Sequence, residues 1–229
     1  QLVDNGDGTG ELSGTPENAD VGGHGVVLRV TDGSEAFEVQ SFIITVENTN
    51  DAPVFTSEAI TEATEDEEYS YTVIAEDVDI GDEIVLSTVL LPTWLSFVDN
   101  GDGTGELSGT PENADVGEHQ VELLVTDIDG ATGTQNFTVT IENTNDAPFF
   151  TSEEDTAATE DINYIYSVTV DDVDAGDELV ITASTIPEWL QLVDNGDGTG
   201  ELSGTPENAD VGDHGVDLRV TDGSEAFEV

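Results

Sequence analysis

Short segments rich in aspartate, glutamate and asparagine recur along the chain, and their side chains could bind a hard metal cation. The sequence ENTNDAP occurs at residues 47–53 and again at 142–148, and the sequence DVD occurs at 77–79 and 172–174. Calcium binds about six to eight oxygen atoms from carboxylates, amides and carbonyls, which these segments supply. Without an ion, converging carboxylates repel one another by roughly 1 kcal/mol per pair at 4 Å even in bulk water. The chemistry that these residues favour is therefore calcium binding.

The overall charge narrows the choice of partners. The chain has 229 residues, with 53 aspartates and glutamates against two basic residues, and its formal net charge is -51. Phosphate binding needs clustered lysine and arginine, so the composition excludes an electrostatic nucleic-acid binder. The same charge disfavours an anionic membrane surface, and no apolar run approaches the ~20 residues of a membrane-spanning helix. Because the chain has no cysteine, it forms neither disulfides nor thiolate metal sites.

An internal repeat of 95 residues organises these segments. The sequence VDNGDGTGELSGTPENADVG begins at Val3, at Val98 and at Val193. A unit of this length fits one β-sandwich domain and is too long for a solenoid repeat. The repeat frame predicts the C-terminal half of a repeat at residues 1–53, a complete repeat at 54–148, and a repeat lacking its last strand at 149–229. We expect that strand to come from the continuation of the chain or from a neighbouring copy.

Alternating apolar residues predict β-strands within each repeat. Every second residue is apolar at 69–75, at 121–125 and at 137–141. The sequence DNGDG at 99–103 falls between two predicted strands, which is typical of a hairpin turn. The predicted fold is all-β, with tandem immunoglobulin-like Greek-key β-sandwiches in an extended rod.

Taken together, these motifs resemble the cadherin family. The residues that carry the resemblance are the ENTNDAP linkers, the TEDEEY and DVD segments, the PENAD segment, and the sequence VTD late in each repeat. The chain is most similar to the bacterial cadherin-like repeats, of the dystroglycan type, that occur in very large surface and secreted proteins. The resemblance covers the whole chain, and it implies cadherin-like β-sandwiches with calcium ions held between successive domains.

The resemblance also implies one set of calcium ligands for each linker. In each set a DxD pair, a late aspartate and a glutamate from the opening strand join the linker side chains. The first ligand set comprises Asn18, Asp20, Asn48, Asn50, Asp51, Glu65, Asp77, Asp79 and Asp127. The second ligand set comprises Asn113, Asp115, Asn143, Asn145, Asp146, Glu160, Asp172, Asp174 and Asp222.

Other residues that could take part in binding or catalysis also have structural explanations. The DNGDG segment begins like an EF-hand loop, but Thr110 stands where that loop needs a glutamate. Trp94 and Trp189 are either core residues or platforms for stacking on a sugar ring. No nucleophile, base and oxyanion site are joined at plausible spacing, so we expect no enzymatic activity. One histidine per repeat, without a second histidine or cysteine nearby, is typical of a structural residue; these are His24, His119 and His214.

The sequence therefore predicts a calcium-rigidified structural repeat that forms a stalk or filament of a large surface adhesin or fibre. It is expected to be extracellular, at the cell surface or secreted, because extracellular modules bind calcium at about 10⁻⁴–10⁻³ M. The predicted partners are calcium and adjacent repeats of the same chain or of identical neighbouring chains. A carbohydrate-binding module of a secreted, polysaccharide-associated protein is the alternative, and a homophilic cell-adhesion domain is a third possibility that rests on the cadherin analogy.

Overall fold

β-strands joined by short turns build both structural units of the chain. The computed structural model describes residues 1–223 and the backbone of the strand Phe227–Glu228. Unit 1 comprises Gln1–Thr61, Tyr69–Gly109 and His119–Val139, and unit 2 comprises Glu62–Glu68, Thr110–Glu118 and the described part of Thr140–Val229. The end of the predicted third repeat, at residues 224–226 and 229, lies outside the described residues. In the described part of the chain, no helix has the length and apolar character needed to cross a membrane.

Residues 1–53 contribute four strands to unit 1. These are β1 (Leu2–Asp4), β2 (Gly10–Leu12), β3 (Gly22–Thr31) and β4 (Phe37–Val46). β1 pairs with β2, and β3 pairs with β4, both in antiparallel orientation. The two pairs are connected by a 3₁₀ turn at Asn18–Asp20, in which the Asp20 carboxylate accepts a hydrogen bond from the backbone N–H of Glu17 at 3.0 Å.

The repeat at residues 54–148 forms two four-stranded sheets. Its strands are β5 (Val54–Phe55), β6 (Glu62–Thr64), β7 (Tyr69–Glu76), β8 (Val85–Leu90), β9 (Ser96–Asp99), β10 (Thr104–Gly109), β11 (Gly117–Thr126) and β12 (Thr132–Glu142). The first sheet has the strand order β5-β7-β10-β9, and the second has the order β6-β12-β11-β8. The short β6 pairs in parallel with the end of β12.

The repeat that begins at residue 149 follows the same plan in unit 2. Its strands are β13 (Phe149–Phe150), β14 (Tyr164–Asp171), β15 (Val180–Thr185), β16 (Leu190–Asp194), β17 (Thr199–Gly204), β18 (Asp217–Thr221) and β19 (Phe227–Glu228). They form sheets with the orders β13-β14-β17-β16 and β15-β18-β19. The 3₁₀ turn recurs at Asn113–Asp115 and at Asn208–Asp210.

The core of each unit is formed by apolar residues of the strands that the alternating pattern predicts. Residues of β7 are alternately buried and exposed along its whole length, as the sequence pattern predicts for a strand with one face on the core. Val73 and Leu107 are fully buried in unit 1, and Val168 and Val220 are fully buried in unit 2. The predicted all-β fold of tandem immunoglobulin-like domains is therefore confirmed.

The DNGDG segment is a hairpin turn, as predicted. It joins the antiparallel strands β9 and β10. Gly101 and Gly103 adopt φ angles of 76° and 81°, in the left-handed region that glycine enters with little strain. The Asp99 carboxylate accepts a hydrogen bond from the Gly101 N–H at 2.9 Å and closes the turn.

Candidate functional site

Three aspartates converge in the loop at residues 77–82, which we call loop A. The loop follows β7, and one carboxylate oxygen each from Asp77, Asp79 and Asp82 lies within 4.8 Å of the others. The Asp79 N–H donates to the Asp77 carboxylate at 2.8 Å, and the Asp82 N–H donates to the Asp79 carbonyl at 3.3 Å. Gly81 takes a φ angle of 95°, which lets the chain turn back toward Asp82.

Some of the carboxylate oxygens of loop A have no hydrogen-bond partner among the described residues. The Oδ2 atoms of Asp77 and Asp82 and the Oδ1 atom of Asp79 are buried and have no hydrogen-bond partner among the described residues. Burial raises the pKa of Asp82 above that of an ordinary aspartate, and the carboxylates of Asp77 and Asp127 raise it further. Buried polar atoms normally have partners, so oxygens of this kind fit the ligand set of a cation.

The first linker is hydrogen-bonded to this loop within unit 1. The backbone N–H of Asp51 donates to the Asp79 carboxylate at 2.7 Å, and the Asn50 amide donates to the Asp127 carboxylate at 2.9 Å. The Asn18 amide donates to the Asp51 carboxylate at 2.7 Å. The hydrogen bond from Asn50 lowers the pKa of Asp127, which is 6% exposed. Residues of the first ligand set from the preceding half-repeat, the linker and the following repeat are thus brought together.

A second loop with the same spacing, at residues 172–177, lies in unit 2 and is called loop B. One carboxylate oxygen each from Asp172, Asp174 and Asp177 lies within 4.8 Å of the others. Asp172 Oδ2 is buried without a hydrogen-bond partner in the described part of the chain, and burial raises the pKa of Asp172. Loop B therefore repeats the spacing of loop A at the equivalent position, but Asp177 is exposed whereas Asp82 is half-buried.

The second linker makes the same contacts with loop B as the first makes with loop A. The backbone N–H of Asp146 donates to the Asp174 carboxylate at 2.7 Å, and the Asn145 amide donates to the Asp222 carboxylate at 2.9 Å. The Asn113 amide donates directly to the other Asp174 carboxylate oxygen at 2.9 Å. This last bond differs from the first linker, where Asn18 contacts the linker aspartate instead.

Glu65 lies beside the second linker, whereas the sequence analysis assigned it to the first ligand set. Its carboxylate accepts a hydrogen bond from the Thr144 N–H at 3.1 Å, and its own N–H donates to the Glu142 carbonyl at 3.0 Å. Only 1% of Glu65 is exposed. The physical reason is the parallel pairing of β6 with the end of β12, since that end leads directly into the second linker. Glu160, assigned to the second set, is an exposed residue before β14.

The remaining predicted ligands are not joined to these loops by the described hydrogen bonds. The carboxylates of Asp20 and Asp115 each accept the backbone N–H that begins their own 3₁₀ turn, at 3.0 Å in both cases. For Asn48 and Asn143, the described side-chain hydrogen bonds include none to a loop carboxylate. Their predicted ligand role therefore stays a prediction.

The comparisons with known proteins place the chain in a family. A family model described as "Putative Ig domain" matches residues 52–142 and again residues 147–228, which together make up more than half of the chain. The chain belongs to this Ig-domain family. No curated protein matches it.

Solved cadherin structures share the fold of these Ig domains. The structure of PcdhgB3 EC1-4 is 19% identical with a TM-score of 0.67, and it is matched over 100% of this chain and 61% of that one. Protocadherin Gamma B2 extracellular cadherin domains 1-5 are 18% identical with a TM-score of 0.62, over 100% of this chain and 48% of that one. An endo-fucoidan hydrolase of glycoside hydrolase family 107 is 25% identical over 99% of this chain, but its TM-score of 0.41 is too low to show a shared architecture. The chain spans 36% to 61% of the length of these structures. The similarity to cadherin domains therefore shows a cadherin-like fold.

Sequence reasoning missed one acidic residue in each Ig domain loop. Asp82 and Asp177 belong to the clusters, but the cadherin resemblance drew attention only to the DVD triplets before them. The signal was available in the sequence, because DVDIGD and DVDAGD place a glycine and then an aspartate at the same distance after each triplet. A glycine before a third aspartate indicates a turn that brings its carboxylate back to the first two.

The tryptophans of the Ig domains pack between other rings. The Trp94 ring meets the Tyr69 ring edge-on at 5.6 Å and the His119 ring edge-on at 6.2 Å between centroids. Trp189 has the same neighbours one repeat later, Tyr164 at 6.0 Å and His214 at 6.1 Å. These contacts favour the packed structural role over the sugar-stacking role for the tryptophans, and they give two of the three histidines a packing partner.

Proposed function

We propose that this chain is a segment of an extracellular structural array whose tandem Ig-like repeats are stiffened by calcium, and that it has no catalytic role. The observation that carries the proposal is the group of buried, unpartnered carboxylate oxygens in loop A. The repeat that contains them, at residues 54–148, has 22 acidic residues and neither lysine nor arginine. Because that repeat has no basic side chain to neutralise the loop, a cation from solution is the balancing charge that we propose.

The donor set selects calcium among the common cations. Carboxylate, amide and carbonyl oxygens are the ligands that calcium prefers, and the absence of cysteine leaves no soft ligand for zinc or copper. Extracellular calcium modules bind at about 10⁻⁴–10⁻³ M, so sites of this kind fill outside the cell and stay empty in the cytosol. This affinity range is the basis for proposing an extracellular location.

The stiffening role follows from the way the linkers are held. The Asp51 N–H is bonded to Asp79 in loop A, and the Asp146 N–H is bonded to Asp174 in loop B. An ion bound to either loop would fix the carboxylate that holds the linker backbone. Asn18, from the repeat before the first linker, donates to the Asp51 carboxylate of that linker. Asn113, from the repeat before the second linker, donates to the Asp174 carboxylate of loop B. Calcium would therefore restrict the hinge between successive repeats, as a stalk, filament or adhesin shaft requires.

Removal of calcium tests the proposal on the whole chain. With calcium at about 100 times its dissociation constant, binding adds roughly 2.7 kcal/mol to the free energy of unfolding, which corresponds to a rise of about 5–10 °C in melting temperature. Excess chelator should remove this gain and change the distance distribution in small-angle scattering. Asp51→Ala should reproduce part of both changes in the presence of calcium. Identical melting and scattering with calcium and with chelator would refute the proposal.

A carbohydrate-binding module is the alternative function. It would need an exposed aromatic platform, whereas Trp94 and Trp189 each have one edge contact with tyrosine and one with histidine. Glycan binding that disappears in Trp94→Ala, with melting unchanged, would favour this alternative over the structural one.

A further inference from the structure

We propose that Asp82 is a direct calcium ligand, so that loop A supplies three carboxylates from a single repeat, and we extend the assignment to Asp177 from the equivalent spacing of loop B. The inference rests on the proposed function and deepens it. At each linker, the loop of the following repeat would supply most of the side-chain ligands of one ion. The linker itself would contribute the backbone hydrogen bonds that hold that loop.

The geometry of loop A fits a single ion. Two oxygens bound to one calcium ion at about 2.4 Å can be at most about 4.8 Å apart. The carboxylate oxygens of Asp77, Asp79 and Asp82 lie within 4.8 Å of one another. They are therefore close enough to share one ion.

Asp79 gives independent evidence that the loop is built around a ligand. Its side chain is 94% buried, since 6% of the residue is exposed, and its Oδ1 atom has no hydrogen-bond partner among the described residues. A buried carboxylate oxygen left in this way costs free energy unless a donor or a cation meets it. The other Asp79 oxygen accepts the Asp51 N–H, so the side chain is held in place and cannot turn to solvent.

Asp82 contrasts with aspartates that have a purely structural role in the same repeat. In the hairpin turn, Asp102 Oδ1 accepts hydrogen bonds from both the N–H and the hydroxyl of Thr104, at 3.1 and 2.6 Å. Asp82 Oδ2 accepts none from the described residues. The turn at Asp82 is closed by its backbone N–H, so its carboxylate is not needed for the turn. The half-buried Asp82 carboxylate, placed beside Asp77 and Asp79, is therefore available to a cation.

Calcium titration of the full chain tests the assignment. The chain is stripped with chelator, dialysed, and titrated calorimetrically with calcium chloride as wild type, Asp82→Asn, Asp177→Asn and the double variant. We expect each single variant to weaken binding at one class of sites by about tenfold or more, because a charged ligand is lost, and the double variant to weaken two. Asp102→Asn is the matched control and should bind calcium like the wild type.

Melting with and without calcium separates a ligand from a structural residue. In excess chelator, Asp82→Asn should melt at or above the wild-type temperature because a repelling charge has been removed; with calcium it should melt below the wild type. This reversal of sign does not depend on the titration, and it shows that the variant folds. An equal loss of melting temperature under both conditions would overturn the assignment.

The outcomes also separate this inference from the proposed function. If the wild type binds calcium and Asp82→Asn binds it equally well, the role of Asp82 is wrong and the calcium proposal stands. If the wild type itself binds no calcium, the proposed function fails, and this inference fails with it.

Discussion

Aspartates of the hairpin turns and of loop A differ in pKa according to what surrounds their carboxylates. In the DNGDG turns, hydrogen bonds from the hydroxyl and N–H of Thr104 lower the pKa of Asp102, and the equivalent bonds from Thr9 lower that of Asp7. In loop A, by contrast, burial and neighbouring carboxylates raise the pKa of Asp82. The anionic forms of Asp102 and Asp7 are stabilised by hydrogen bonds within the turn, whereas that of Asp82 is destabilised by burial and by neighbouring carboxylates.

The lowered pKa of Asp102 predicts a pH-dependent contribution to stability. A carboxyl group whose pKa is depressed in the folded state stabilises the fold above its ordinary pKa of 3.8, and this contribution is lost as the pH falls through the depressed value. Asp102→Ala should therefore lower the melting temperature at pH 7, and the difference from the wild type should shrink below about pH 3.8. Melting curves of both proteins in excess chelator, recorded between about pH 2 and pH 7, check this prediction. A difference that stays constant over this range would contradict the prediction.

At the scale of strands, local patterns were predictable and pairing partners were not. The alternation in β7 and the DNGDG turn are properties of a few neighbouring residues, and both were confirmed. Glu65 lies beside the second linker, not the first, because β6 pairs with β12, whose paired residues are 78 positions further along the chain, as in Glu62 with Thr140. No local period encodes such a long-range choice. Asp82 was missed for a different reason: its spacing was visible, but the resemblance supplied a ligand pattern that did not include it.

The pairing of β6 with β12 predicts which residues act together. Glu65 and the second linker lie in unit 2, whereas Asp51 lies in unit 1. In double-mutant cycles, Glu65→Gln and Asp146→Ala should couple by about 0.5–3 kcal/mol in the calcium-dependent free energy of unfolding, because they affect one site. Glu65→Gln and Asp51→Ala should be additive within about 0.3–0.5 kcal/mol. Strong coupling of Glu65 with Asp51 and none with Asp146 would restore the assignment made from the sequence.

Gly109 in β10 and its equivalent Gly204 in the next repeat lie where a larger residue would meet a steric limit. A Cβ atom added at Gly109 would overlap the Trp94 carbonyl oxygen, and one at Gly204 would overlap the Trp189 carbonyl oxygen. By contrast, a Cβ atom added at Gly215 would have no atom within 4 Å, and the equivalent position of the preceding repeat is already Gln120.

Alanine substitutions at these positions form a matched set. Gly109→Ala should lower the free energy of unfolding by about 1–3 kcal/mol, since β10 has to move away from the Trp94 backbone. Gly215→Ala should be neutral or slightly stabilising, because it only reduces the freedom of the unfolded chain. Chemical denaturation of the two variants, with and without calcium, checks the prediction. Equal effects of both substitutions would show that the close approach to Trp94 is not what requires glycine.

Across the whole molecule, the negative charge of the acidic side chains exceeds the positive charge that bound calcium ions could supply. Each calcium ion carries two positive charges, while the chain carries 53 acidic side chains against two basic ones. Most of the negative charge therefore faces solvent and repels itself, which favours solubility and keeps neighbouring chains apart but opposes folding.

This self-repulsion predicts that salt stabilises the chain when calcium is absent. The Debye length falls from about 10 Å at 0.1 M to about 3 Å at 1 M ionic strength, so added sodium chloride screens repulsion between carboxylates that are not in contact. In excess chelator, the melting temperature should rise steadily between these concentrations. With saturating calcium the rise should be smaller, because the closest carboxylates are already neutralised and salt also weakens binding of the ion. Sucrose at matched osmolality controls for effects of solutes other than screening. A melting temperature that is insensitive to sodium chloride in chelator would mean that repulsion among the acidic residues is not a major term in the stability of this chain.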